Sequence, residues 1–221
     1  MLPESPEAYY ARIASHLGPE GRLAVAVEEM PGWDIYPYEV ESLRLKPLLP
    51  LAGSEPPRRG EDPAECWCAS VAEGPANALP EHLEGFVWRN ERWVLTADLA
   101  QSLPVFLTLV PVATHCDLPT APPDLAAEMG QLIVAISAAV EALPSVGRVQ
   151  LAKWGDGGAH LHLAFLGRPA RVLQFRGSPL LDWAENLPDV PEDVLSANAT
   201  FVAEHLAAAV GGEVGPEHVA S

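Results

Sequence analysis

The chain is expected to fold as an α+β domain, an antiparallel sheet with a long helix packed across one face. Three observations predict it. Residues 86–95 read as a β-hairpin, two runs rich in Phe, Val and Trp with Asn90-Glu91 at the turn. Residues 124–143 place Leu125, Met129, Leu132, Ile133, Ile136, Val140 and Leu143 at spacings of three and four, the stripe of a helix lying on a core. Residues 146–151 and 160–166 read as neighbouring strands joined by a glycine-rich turn.

Taken in order, residues 5–17 read as a short helix, with Tyr9, Ile13 and Leu17 four apart, and 23–27 as a strand. Residues 31–37 form a turn segment bearing proline and aromatics. Residues 47–63 are rich in Pro, Gly and charge and read as a loop or linker. Cys66-Trp67-Cys68 follows, then the hairpin. Residues 105–110 are an apolar strand that ends at Pro111, with Thr114-His115-Cys116-Asp117-Leu118 beyond it. Pro122 and Pro123 precede the long helix, and Asp124 is the expected N-cap. Residues 171–175 are expected to add a strand. Residues 193–210 read as a helix stopped by Gly211-Gly212. The implied division is an N-terminal extension and linker over 1–63, a main domain over 64–180 and a C-terminal helical segment over 181–221.

Bulk properties narrow the function. The 221 residues are 48% hydrophobic, enough for a real core, and the formal net charge is −17. That charge argues against a general binder of duplex nucleic acid, which needs basic surface to neutralise phosphates, and against anionic membranes. No apolar run reads as a bilayer span, and the first residues lack a signal-peptide core. Three cysteines do not make an even disulfide set, so a reducing cytoplasm is the expected setting.

The chemistry concentrates in residues 155–166. Alternation along a strand sends His160, His162 and Ala164 to one face and Leu161, Leu163 and Phe165 to the other. One face is thereby apolar and the other carries imidazoles, which serve as metal ligands or as nucleophiles near neutral pH. Between Arg148 and Arg176 stand five basic residues (Arg148, Lys153, Arg168, Arg171, Arg176) and one acid, Asp156. A local positive field beside a histidine pair suits a small anionic ligand. Arg168, Gln174, Arg176 and Ser178, directly after the motif, are the expected phosphate contacts. Trp154, in the loop before it, is the aromatic best placed to meet a ligand.

These residues together resemble the histidine triad (HIT) superfamily. That family has an edge hairpin, a strand leading into a segment with proline and histidine, a long helix, and two strands of which the last carries His-φ-His-φ-His-φ-φ, φ being apolar. The matching residues are Leu109-Val110-Pro111-Val112-Ala113-Thr114-His115, the helix from Asp124, and His160-Leu161-His162-Leu163-Ala164-Phe165-Leu166. The resemblance covers roughly residues 64–180. It implies that His162 is a nucleophile attacking the α-phosphorus of a nucleotide to form a nucleotidyl-histidine, and that His160 orients it. Ala164 stands where the family has its third histidine, although the galactose-1-phosphate uridylyltransferase branch keeps only the first two. Some branches hold a structural zinc with two cysteines, the histidine after the proline and the first histidine of the triad. Cys66, Cys68, His115 and His160 occupy those places in order, with Cys-x-Cys in place of Cys-x-x-Cys. The resemblance also implies a homodimer through the hairpin at 86–95.

The expectation is thus a HIT-like phosphohydrolase or nucleotidyltransferase acting on a nucleotide or phosphate ester, with zinc as a structural cofactor. Two alternatives stand beside it. One is a non-catalytic HIT-like protein that binds a nucleotide or a partner through the same pocket. The other is a metalloprotein that uses His160, His162 and His115 as ligands of a catalytic metal.

Overall fold

The hairpin is built around one side chain. In the computed structural model, which describes residues 11, 14–22, 37–38, 47, 49–73, 79–112 and 114–216, strands β1 (Phe86–Arg89) and β2 (Trp93–Ala97) run antiparallel with Arg89 opposite Val94. The Asn90 side-chain oxygen accepts from the N–H groups of Arg92 (2.9 Å) and Trp93 (2.8 Å), and the Asn90 N–H donates to the Trp93 carbonyl (3.0 Å). Asn closes such turns because its short amide reaches the backbone two residues on.

From the hairpin the sheet grows by antiparallel pairing. β2 pairs with β3 (Phe106–Pro111), β3 with β5 (Leu163–Pro169), and β5 with β4 (Val146–Ala152). A two-residue strand, β6 (Glu213–Val214), pairs with the outer side of β1, giving the order β4-β5-β3-β2-β1-β6. The outer side of the hairpin is therefore paired at Trp88 and Arg89. Among the described residues, β4 and β6 are the outermost strands.

The strands' alternation sorts the faces. One face presents Trp93, Leu95, Leu107, Leu109, Leu163 and Phe165, all buried, to two long helices, α3 (Pro123–Glu141) and α5 (Glu192–Val210). From α3 come Leu125, Leu132, Ile136 and Val140; from α5 come Ala199, Val202, Ala203 and Leu206. The two helices also pack on each other. Each fully buried leucine here contributes about 1.5–3 kcal/mol relative to exposure. The opposite face carries two smaller clusters. One joins Leu83 of the short helix α2 (Glu81–Glu84) to Phe86, Val94, Val110 and Val112, with Trp67 of α1 (Trp67–Glu73) packed against it. The other joins Ala164 and Leu166 to Leu103 and to Leu180 of α4 (Leu180–Ala184).

Several expectations need correction. β5 begins at Leu163, so His160 and His162 stand immediately before it rather than within it. Residues 171–175 are not a strand. Arg171 has φ 67°, a left-handed conformation, and a 3-10 turn at Leu173–Phe175 follows. The long helix has Pro122 at its N-cap with no side-chain cap, and Asp124 instead pairs with Arg92 at 2.8 Å. By length and composition α3 is apolar enough to cross a membrane, contrary to the expectation that no run spans a bilayer; its Leu125, Leu132, Ile136 and Val140 are buried in the core.

The chain divides into two units, Met1–Pro56 and Pro57–Ser221. In the first, the described residues include a 3-10 turn at Pro19–Gly21 and an Arg22–Glu20 ion pair of 3.2 Å. Most of the helix expected at 5–17, and the strand at 23–27, lie outside the described residues. The sheet and all the helices above belong to the second unit, and the site is built wholly within it.

Candidate active site and the adjoining metal-ligand cluster

His162 is held by the backbone of its own motif. Its Nδ1 lies 2.8 Å from the His160 carbonyl oxygen. A carbonyl can only accept, so Nδ1 carries the proton and the neutral ring keeps a bare lone pair on Nε2. Leu161, between the two histidines, is fully buried and its N–H donates to the Cys116 carbonyl at 2.7 Å. The apolar side of the motif thus anchors in the core, and its histidines border a cavity.

That polar side borders a cavity of about 730 Å³ lined by Arg59, Gly60, Glu65, Cys66, Trp67, His82, Val110, Trp154, Gly157, Gly158, His160 and His162. The Trp67 ring lies against the His160 ring, centroids 4.4 Å apart, and meets the His82 ring edge-on at 5.3 Å. Trp154 is 43% exposed. The cavity therefore offers an imidazole, apolar rings and a small number of charged groups, the usual make-up of a small-molecule site.

Next to it lies a second constellation. One nitrogen or sulfur atom each from Cys66, Cys68, His115 and His160 come within 4.8 Å of one another. Cys66 Sγ is 3.4 Å from His160 Nδ1, and Cys68 Sγ is 3.4 Å from His115 Nδ1. Tetrahedral ligation at ordinary Zn–S and Zn–N lengths sets ligand separations of about 3.3–3.8 Å, which the two Cys–His pairs already show and which the remaining donors, all within 4.8 Å, reach by a contraction on the order of 1 Å. Cys66 is extended (φ −79°, ψ 142°) and Cys68 sits in the first turn of α1. This change of backbone conformation turns both thiols inward and overcomes the short Cys-x-Cys bite. His160 Nε2 lies 2.7 Å from the Pro111 carbonyl, which fixes its proton there and leaves Nδ1 bare toward Cys66. Burial, seconded by His115 and His162 and opposed by the Pro111 carbonyl, lowers the His160 pKa and keeps the ring neutral, as a ligand must be. Burial, then Cys66 beside it, pushes the Cys68 thiol up to about 12, so an incoming cation has to displace its proton. His162 is not in this cluster, and none of the three cysteines is in a disulfide.

A third group braces the loops. Asp117 accepts from Arg58 Nη1 at 2.6 Å and from Lys153 Nζ at 2.8 Å, and Arg58 also donates to the Gly155 carbonyl at 3.1 Å. Burial alone would raise the Asp117 carboxyl, but the hydrogen bonds from Lys153 and Arg58 prevail and hold it down at about 2.

Of the residues expected from sequence, the fold brings His162, His160 and Trp154 to the cavity, and Cys66, Cys68, His115 and His160 to the cluster. Arg168, Gln174, Arg176 and Ser178 do not line that cavity. Arg168 donates to the Pro169 carbonyl at 2.8 Å and Arg176 to the Leu173 carbonyl at 2.8 Å, while Gln174 and Ser178 are exposed. Ala164 is buried with Leu103, Leu166 and Leu180, so nothing polar stands at the third position of the motif. Arg59, Glu65, Trp67 and His82 are cavity residues that sequence reasoning did not assign to it. The one signal for Arg59 is the basic pair Arg58-Arg59 within a Pro- and Gly-rich stretch.

No protein-family model and no curated protein matches the chain. Solved structures do resemble it. A HIT-like protein involved in cell-cycle regulation from Bartonella henselae is 14% identical and overlaps 62% of this chain and 92% of its own, with a TM-score of 0.43. A histidine triad protein from Sinorhizobium meliloti is 17% identical over 58% of this chain and 96% of that one, with a TM-score of 0.45. A zinc-bound histidine triad family protein from Mycobacterium smegmatis is 21% identical over 65% and 93%, with a TM-score of 0.40. The hairpin, the central helix and the paired strands β4 and β5 follow the order that the sequence resemblance implies, and His162 lies at the cavity.

Proposed function

We propose that the chain is a HIT-like nucleotide phosphohydrolase or nucleotidyltransferase that works through a nucleotidyl-histidine at His162. The observation that carries this is the 2.8 Å contact between His162 Nδ1 and the His160 carbonyl, which leaves Nε2 bare beside a ligand-sized cavity. In the reaction the Nε2 lone pair attacks the α-phosphorus. The bond from phosphorus to the leaving group breaks, and the leaving group departs with the bonding pair and takes a proton from solvent. Water or a second acceptor then attacks the same phosphorus, and the phosphorus–nitrogen bond breaks to return the free imidazole. Splitting one displacement into two is the gain of a covalent nucleophile. The proton stays on Nδ1 and is donated to the His160 carbonyl throughout, so the positive charge that forms on the ring is stabilised by a fixed dipole.

Zinc is the proposed occupant of the Cys66, Cys68, His115 and His160 cluster. Four protein donors leave no open position, so it would be structural, tying three chain segments together.

Intact-protein mass after mixing with dinucleotides, nucleoside phosphoramidates and sugar nucleotides tests the proposal. A mass gain of one nucleotidyl group in wild type and none in His162→Ala is expected. Turnover by His162→Ala at the wild-type rate would sink it. The non-catalytic reading draws on one observation, the apolar burial of Ala164, which leaves the leaving group without a side-chain partner there. Nucleotide binding with neither adduct nor turnover would select that reading.

A further inference from the structure

We propose that Arg59 is the phosphate anchor of the cavity and that it suits the site to ligands presenting a single phosphate rather than a polyphosphate chain. This rests on the nucleotide reading of the His162 site and names the ligand class it takes.

The argument starts from the strap that carries Arg59. Its N–H donates to the Gly157 carbonyl at 3.2 Å, and its carbonyl accepts from the Ala159 N–H at 3.0 Å, a one-residue parallel bridge to Gly158. The strap is therefore fixed to the loop that leads directly into His160 and His162. In extended chain, successive side chains point to opposite sides. Arg58 turns to Asp117 and the Gly155 carbonyl, where its charge is neutralised. Arg59, exposed, lines the cavity, and among the described residues its guanidinium has no ion pair or hydrogen bond. Lys153, the other nearby cation, is also spent on Asp117.

The charge inventory of the cavity then selects the ligand. Among the described residues its wall holds one arginine, Arg59, and one carboxylate, Glu65. A guanidinium matches the oxygens of one phosphate with two parallel N–H donors. Gly157 and Gly158 have open space where a Cβ would stand, so nothing there blocks an anion held by Arg59. A triphosphate would bring three or more negative charges to a single cation, beside Glu65 and within a chain of net charge −17.

Isothermal titration on the full chain tests this with a nucleoside, its monophosphate and its triphosphate, each against wild type, Arg59→Ala, Arg59→Lys and the exposed control Arg148→Ala. Wild type is expected to bind the monophosphate more tightly than the triphosphate. Arg59→Ala should weaken the monophosphate by about 10- to 100-fold, the range of a lost charged hydrogen bond, and leave the nucleoside within about twofold. Arg59→Lys should fall between, and Arg148→Ala should match wild type. Equal loss for nucleoside and monophosphate, no loss for either, or a tighter triphosphate in wild type overturns the proposal. Tight nucleotide binding with Arg59→Ala unchanged removes only the role of Arg59. Wild type that binds no nucleotide removes this proposal and the nucleotide reading together.

Discussion

His160 does two jobs with different atoms. Its ring faces the cysteines through Nδ1 and is locked by Pro111 through Nε2, while its backbone carbonyl sets the tautomer of His162. Residues of this kind were legible in the sequence, because an alternating His-x-His pattern and a short ligand order are local facts, even though the strand itself begins only at Leu163. Arg59 was not, because its value lies in pairing with Gly157, nearly a hundred residues away, and it sits in a stretch that reads as linker. The excess of basic residues after the motif misled for the same reason: pattern reports charge but not direction, and Arg168 and Arg176 turn to backbone carbonyls. Asp117 gives a prediction at this scale. Its folded pKa of about 2 lies below the unfolded value of about 3.9. Its ion pairs therefore contribute fully above the unfolded value and fade as pH falls through it toward the folded one. Asp117→Asn is expected to lower stability near pH 7 by about 1–2 kcal/mol and to flatten the profile between about pH 5 and 2. Chemical denaturation at a series of pH values checks this, and a variant profile parallel to wild type would show that the carboxylate adds nothing.

At the scale of elements, the hairpin, the long helix and the last two strands were readable because each is long enough to show its period. β6 was not, since two residues have no period. Gly211-Gly212 was read only as the stop of α5, and it does more. Gly211 (φ 75°) and Gly212 (φ 97°) turn the chain back so that Glu213 and Val214 pair with β1, and the Gly211 carbonyl accepts from Trp88 Nε1 at 2.9 Å. A Cβ on Gly212 would meet Trp88 Nε1 at 2.6 Å and the Arg89 carbonyl oxygen at 2.7 Å, in a backbone region that side chains resist. Trp88 is fully buried and has no room to yield. Gly212→Ala is expected to destabilise the domain by about 2–3 kcal/mol through strain and overpacking. Urea denaturation measures it, with amide exchange at Trp88 and Arg89 reporting release of β6. A loss under about 0.5 kcal/mol, the usual size for a surface change, would mean that the turn relaxes freely.

For the molecule as a whole, the cluster of Cys66, Cys68, His115 and His160 joins parts that the sheet does not. Cys66 and Cys68 lie at the start of α1, His115 between β3 and α3, and His160 beside His162. Closing these segments around one ion links their order to the position of His162 through the His160 backbone. A ligand that binds only the folded chain stabilises it by RT ln(1 + [L]/Kd), about 4 kcal/mol at a thousandfold excess over Kd. For a domain of this size that corresponds to a thermal midpoint shift of about 10 °C. Chelation of the purified chain is expected to lower the midpoint by that order, and readdition of zinc to restore it. Cys66→Ser should lose the metal and show the low midpoint without chelator. His162→Ala should keep both metal and midpoint, because its ring lies outside the donor set. Elemental analysis beside the melting curves distinguishes the outcomes: metal lost in His162→Ala and kept in Cys66→Ser would transfer ligation to the histidine pair, and a midpoint indifferent to chelator would remove the ion from the fold's stability.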